Sequence, residues 1–135
     1  MFQAVILTDG TEFNAKLVGT DELTDVAVIK ITSQKALSTA KFGQSNMLAV
    51  GEDVVAIGNP LGKLGGTTTN GIISAVERDI VVNGNAMKLL QTNAAVNPGN
   101  SGGGLFNRAG ELIGIVNAKY SDDNVEGLAF AIPSD

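Results

Sequence analysis

Ser101 lies in Asn97-Pro98-Gly99-Asn100-Ser101-Gly102-Gly103, with glycines on both sides. Such glycines let a backbone turn sharply and let a substrate approach closely. This setting suits a hydroxyl nucleophile. Successive amide N–H groups of the loop can also converge on the negative oxygen of a tetrahedral intermediate, which is worth about 3–4 kcal/mol per donor. A serine hydroxyl is a weak nucleophile near neutral pH and needs an adjacent base. The usual base is an imidazole, itself held by a carboxylate. The chain contains no histidine. The setting of a nucleophile is therefore present without its proton acceptor. Local composition alone reads first as a plain Gly/Asn/Ser turn between strands. The offsets also differ from the Gly-x-Ser-x-Gly nucleophile elbow, and no helix follows.

Other chemistries find less support. Gly58-Asn59-Pro60-Leu61-Gly62-Lys63 is one residue short of a phosphate loop, and Leu64 stands where Ser or Thr is needed, so nucleotide binding is rejected. With neither His nor Cys and with scattered carboxylates, no metal or other cofactor is expected. The absence of Cys also removes disulfides and leaves the compartment open. Net charge is -5, against the basic face that nucleic acid requires, so no nucleic-acid partner is expected. No apolar run approaches the roughly 18 residues of a membrane-spanning helix. Phe2 to Leu7 is too short for a signal peptide and lacks a basic flank.

The elements that must position Ser101 are strands. The 135 residues are 44% hydrophobic but only 4% aromatic, so any core is built from small aliphatics. Gln3 to Thr8 ends at the hairpin signal Asp9-Gly10, and Glu12 to Val18 alternates as the returning strand. Asp25 to Ile31 is a third strand. Ser33 to Val50 is mixed and turn-rich and reads as a connection. A second series follows at Asp53 to Gly58, Thr67 to Glu77, Ile80 to Val82, Met87 to Gln91, Gly103 to Phe106, Glu111 to Asn117 and Gly127 to Ile132. Short strands separated by frequent turn signals predict a sandwich or barrel. No stretch holds helical periodicity over about 10–12 residues. The count is uneven, about three strands before the connection and six or seven after it.

Several ordered segments resemble the HtrA/DegP family of trypsin-like serine proteases. They are Thr8-Asp9-Gly10 with Phe13 to Lys16, Thr24 to Lys30, Ala56 to Gly62, Thr69 to Ala75, Leu90 to Gly103, Gly110 to Ile115 and Gly127 to Ser134. Seven segments in the family's order cover nearly the whole chain. The resemblance implies an all-β, trypsin/chymotrypsin-like pair of antiparallel β-barrels. It divides the chain into remaining strands of an N-terminal barrel (1–32), a connection (33–50) and a C-terminal barrel carrying the nucleophile loop (51–135).

Ser101 matches the family's nucleophile and Asp25 the triad aspartate, which orients an imidazole and stabilises its protonated form. A lone Asp opening a strand would otherwise read as a turn residue. The oxyanion hole falls on the N–H groups of Gly99, Asn100 and Ser101, and the substrate pocket on Val96, Ala118 and Lys119. Lys119 takes a commonly aliphatic position and is expected to snorkel to solvent. The loop Tyr120 to Glu126 lies beside that pocket. The family's histidine precedes the segment where this chain begins. The expectation is a truncated N-terminal barrel, a complete C-terminal one, and no hydrolysis by these residues alone. The rival expectation is a pseudoprotease or peptide-binding module that takes extended segments by strand addition.

Two further departures from the family bear on the site. Asn93 replaces a usual Asp and removes a charge near the serine. Gly104 replaces a common Pro or Ala, which is expected to loosen the start of its strand. Half a barrel is expected to expose apolar faces around Val5, Leu7, Val26 and Val28 and to self-associate or swap strands. The resemblance further implies unfolded polypeptide substrates, a homo-oligomer (a trimer in the family), a following PDZ domain and an extracytoplasmic parent.

Overall fold

The computed structural model describes residues 3–59, 66–82, 84–117 and 127–135. It divides into two compact units, Met1–Thr39 and Ala40–Asp135. The expected connection is thus shared, with 33–39 in the first unit and 40–50 in the second.

The first unit is a three-stranded antiparallel sheet of β1 (Gln3–Ile6), β2 (Glu12–Asp21) and β3 (Val26–Lys30), in that spatial order. The β1–β2 turn closes where Asp9-Gly10 predicts. Gly10 takes φ 87°, and the Asp9 carboxylate accepts the Thr11 N–H at 2.9 Å. That hydrogen bond holds the Asp9 carboxyl below its ordinary value of 3.8. The β2–β3 turn is built on Asp21, whose Oδ1 accepts the Leu23 N–H at 3.0 Å and whose Oδ2 accepts the Thr24 hydroxyl at 2.9 Å. Ala15 alone is buried among the described residues of this unit. Ile6, Leu17, Val18, Leu23, Val28 and Ile29 are exposed. Of the four positions expected to be bare, Val28 is exposed, whereas Val5, Leu7 and Val26 are half-buried. The bare apolar surface is spread over all three strands, and a bulge between Leu17 and Gly19 interrupts the alternation of β2.

The second unit is a closed antiparallel barrel. Its strands are β4 (Asp53–Gly58), β5 (Thr67–Val82), β6 (Asn85–Thr92), β7 (Gly104–Asn107), β8 (Leu112–Val116) and β9 (Ala129–Pro133). They close in the order β4-β5-β6-β9-β8-β7. Alternation in β4 turns Val54, Ala56 and Gly58 inward. Ile73, Leu90, Ala94, Leu105, Ile113, Val116 and Ala131 complete a core of small aliphatics with Val54 and Ala56.

The two strands expected at Thr67 to Glu77 and Ile80 to Val82 are one strand. Glu77-Arg78-Asp79 does not break it: Arg78 and Asp79 pair with Leu89 and Lys88 of β6, and Glu77, in a bulge, is held across by Lys88 at 3.2 Å, while Arg78 Nε donates to Gln91. Bulges near Ala75 and Arg78 absorb the curvature that closure requires.

Residues 41–46 lie along the barrel. Leu112 donates its N–H to Lys41 O and accepts the Gly43 N–H on its own carbonyl, both at 2.8 Å. The chain's last residues return there. The Asp135 carboxylate accepts the Ser45 hydroxyl at 3.2 Å and the Asn46 N–H at 2.9 Å.

Candidate active site

The segment Leu89–Asn107 contains no charged residue. Within this segment the polar groups are backbone amides, amide side chains and hydroxyls.

β6 ends at Thr92, and β7 begins at Gly104. Between them Pro98–Asn100 forms a single 3-10 turn. Asn100 donates its N–H to Asn97 O at 2.8 Å, and Gly103 donates to Asn100 O at 2.9 Å. Gly102 (φ 85°) donates to Val116 O, and Val116 donates back to Gly103 O, both at 2.8 Å. The loop is thereby fastened to β8 immediately after the serine. Ser101 itself is exposed at the barrel's rim.

The loop's other side rests on β4, and two glycines make that approach possible. A Cβ on Gly103 would strike the Ile57 carbonyl oxygen, and one on Gly58 would stand 2.8 Å from Asn100 Cα. Asn100 is buried, at 1% exposure. Its Nδ2 donates to Ala95 O at a long 3.4 Å, and its Oδ1 has no hydrogen-bond partner. The Asn100 N–H lies within the turn, engaged with Asn97 O, so of the three expected oxyanion donors this one is turned to the loop's own backbone.

The lead-in to the loop is held by Thr92, which carries no sequence signal of its own, and by Asn93. Thr92 is buried at 1% exposure, donates to Ile72 O at 2.7 Å and accepts the Ala94 N–H at 3.1 Å. Asn93 Oδ1 accepts the Ile72 N–H at 2.8 Å. The amide oxygen thus has a structural task that needs no negative charge, which accounts for Asn serving at this position. Val96 is half-buried and packs against the core cluster. Ala118, Lys119 and the loop Tyr120 to Glu126 lie outside the described residues.

Gly104 does not loosen β7. It pairs with both Ile57 and Ile115, and the Phe106 ring fills the space a Cβ would take, 2.6 Å from that position. Asp25 lies in the first unit, immediately before β3, in the left-handed conformation at φ 59°. Asp tolerates that region better than most residues. Among the described residues, no group of three or more His, Cys, Asp or Glu could hold a metal ion. Among the described residues, no helix is long and apolar enough to cross a membrane.

A family model described as a trypsin-like peptidase domain matches residues 1–115. Serine protease Do-like HtrA of Bacillus subtilis (strain 168) is 51% identical over 96% of this chain, which covers 30% of that protein. A probable periplasmic serine endoprotease DegP-like of Rickettsia prowazekii (strain Madrid E) is 50% identical over 95% of the chain, which covers 26% of it. The chain therefore spans about a third or less of the curated relatives it matches. Among solved structures, an HtrA-type protease with a decapeptide superposes with a TM-score of 0.85 and 45% identity, over 97% of this chain and 40% of that one.

Proposed function

Since this chain belongs to the trypsin-like peptidases, and among them to the HtrA/DegP serine proteases, we propose that it carries two of the three catalytic side chains of an endopeptidase acting on unfolded polypeptides. Ser101 is the nucleophile and Asp25 the carboxylate that orients an imidazole. The N–H groups of Gly99 and Ser101 hold the oxyanion, and Val96, Ala118 and Lys119 line the pocket for the residue before the scissile bond. The reaction proceeds through an acyl-enzyme: Ser101 Oγ bonds to the carbonyl carbon, the amine leaves with a proton, and water then releases the acid.

The observation that carries this reading is the mounting of Ser101. It projects from a loop fastened on one side to β8 through Gly102 and Gly103 and seated on the other against Ile57 and Gly58. A plain surface turn has no need of that double anchorage. The proton acceptor is missing from these residues, since none is a histidine. The chain alone is accordingly inactive, and the base must come from outside it. An extracytoplasmic setting is supported by the DegP-like relative described as a probable periplasmic serine endoprotease.

Casein incubated with the chain is expected to stay intact, and to be cut slowly when free imidazole is added. Ser101→Ala abolishes that cleavage. Fragments formed without imidazole and lost in Ser101→Ala would overturn the inactivity.

A second reading is peptide capture without cleavage. It is favoured by the sheet of the first unit, where among the described residues β1 and β3 each pair with β2 alone. Such edges accept an added strand, from a polypeptide or from a second copy of the chain. Light scattering distinguishes the two, because a mass that rises with concentration reports self-association and a constant monomer mass contradicts it.

A further inference from the structure

The β5–β6 ladder ends at the Ile73–Thr92 pair, yet the two segments stay joined beyond it through side chains. Ile72 bonds to Thr92 and Asn93, as described above. One step further along, the Thr69 hydroxyl donates to Ala95 O at 2.8 Å. Alternation places Thr69, Gly71 and Ile73 on one face of β5, and Ile73 is fully buried, so this is the inward face. Gly71 allows the approach. A Cβ there would collide with Asn93 Oδ1 and stand 2.9 Å from Ala94 Cα. A glycine inside a strand marks such close backbone contact. The Ala95 carbonyl thus receives Thr69 from β5 and, at 3.4 Å, Asn100 Nδ2 from the residue before the nucleophile.

We infer that Thr69 is a positioning residue for Ser101. Its hydroxyl fixes the Ala95 carbonyl, and that carbonyl is the point to which the buried Asn100 side chain is tied. β-Propensity alone would accept Val here as readily. What Thr adds is a donor at the level of the loop's lead-in. Thr69 touches no reacting atom and acts only through Ala95 and Asn100. The catalytic meaning of this inference rests on Ser101 being the nucleophile, whereas the geometric meaning does not.

The test uses the whole chain with Thr69→Val, which keeps shape and loses the donor, and Thr69→Ser, which keeps the donor. Amide hydrogen exchange is followed at Asn100, Gly102 and Gly103, whose N–H groups are bonded within or beside the loop, and at Ser134, bonded to Ile113 O on another part of the barrel. Thr69→Val is expected to speed exchange at the three loop amides about tenfold, as loss of one net hydrogen bond implies. Ser134 is expected to keep its rate, and Thr69→Ser to restore the loop. In imidazole-supported peptide cleavage, Thr69→Val lowers the Ser101-dependent rate and Thr69→Ser recovers it. Unchanged loop exchange, equal acceleration at Ser134, or no recovery with Ser would overturn the inference. So would altered exchange with an unaltered cleavage rate. If imidazole supports no cleavage by the unaltered chain, the hydrolase reading fails on that arm, while the exchange arm still decides whether Thr69 holds the loop.

Discussion

The sheet of the first unit and the barrel of the second are both antiparallel, and both are built from short aliphatic strands. They differ in what the strands enclose. In the barrel every strand has two neighbours, and alternation sends Val54, Ala56, Ile73, Leu90 and Leu105 into a shared interior. In the sheet only β2 has two neighbours, and Ala15 alone is buried among its described residues. Closure converts the same residue types from surface into core. It also gives the loop of Ser101 something to be fastened to, since that loop is held through strands that are themselves held on both sides. Asp25 sits instead at the start of β3, an edge strand, on a turn stabilised by Asp21.

The comparison breaks most readily in the cores. Ile73→Ala should cost about 2–5 kcal/mol in urea unfolding of the barrel, because a fully buried side chain leaves a cavity. Val28→Ala, on the exposed sheet, should stay within about 0.5 kcal/mol. Comparable losses at both sites would mean that the sheet has a core of its own.

The glycines give a smaller contrast. Gly103→Ala drives a methyl into the Ile57 carbonyl and should destabilise the barrel by about 1–3 kcal/mol while displacing the serine loop. Gly19→Ala in β2 meets nothing within 4 Å and should be neutral or stabilising by up to about 1 kcal/mol. Thr92→Val, which strands the Ile72 carbonyl and the Ala94 N–H, should cost about 1–3 kcal/mol, read by thermal melting.

The smallest effects are electrostatic. Asp9 has a depressed carboxyl, so its contribution to the β1–β2 hairpin is present above its ordinary value of 3.8 and is lost as pH falls through the lower folded value. The protection factor of the Thr11 N–H, referred at each pH to the intrinsic exchange rate, should fall in acid, and Asp9→Asn should abolish that fall. Lys88 is raised, by its hydrogen bond to Glu77 first, so its small contribution is present below the ordinary value of 10.5 and fades as pH rises through the folded one. Being fully exposed, its removal should leave the melting temperature unmoved.

Legibility in the sequence followed the same divide. Where a strand is half-buried with period two, its limits were readable, as Asp53–Gly58 shows. The loop of Ser101 between β6 and β7 was readable as a loop from its glycines, proline and asparagines. The single long β5 was not, because Glu77-Arg78-Asp79 looks like a break unless the partner β6 is known to supply Lys88 and Gln91 opposite. Gly104 was misread for a related reason, since the Phe106 ring that folds over it depends on tertiary packing. The clasp of Thr69, Thr92 and Asn93 carries no local signal except Gly71, a glycine inside a strand pattern. The exposure of the first sheet was foreseen in kind and only partly in place: Val28 is bare as expected, while the β2 bulge at Leu17–Gly19 coincides with bare Leu17 and Val18 that alternation did not point to.

The central claim is that the nucleophile is in place and the base is not. The most direct measurement is the rate of cleavage of a peptide anilide, with a small aliphatic residue before the bond, as a function of added imidazole. The account predicts no rate at zero imidazole and a rising rate that Ser101→Ala removes. A rate at zero imidazole that Ser101→Ala abolishes would mean that these residues supply a base after all. A rise that survives Ser101→Ala would mean that Ser101 is not the nucleophile.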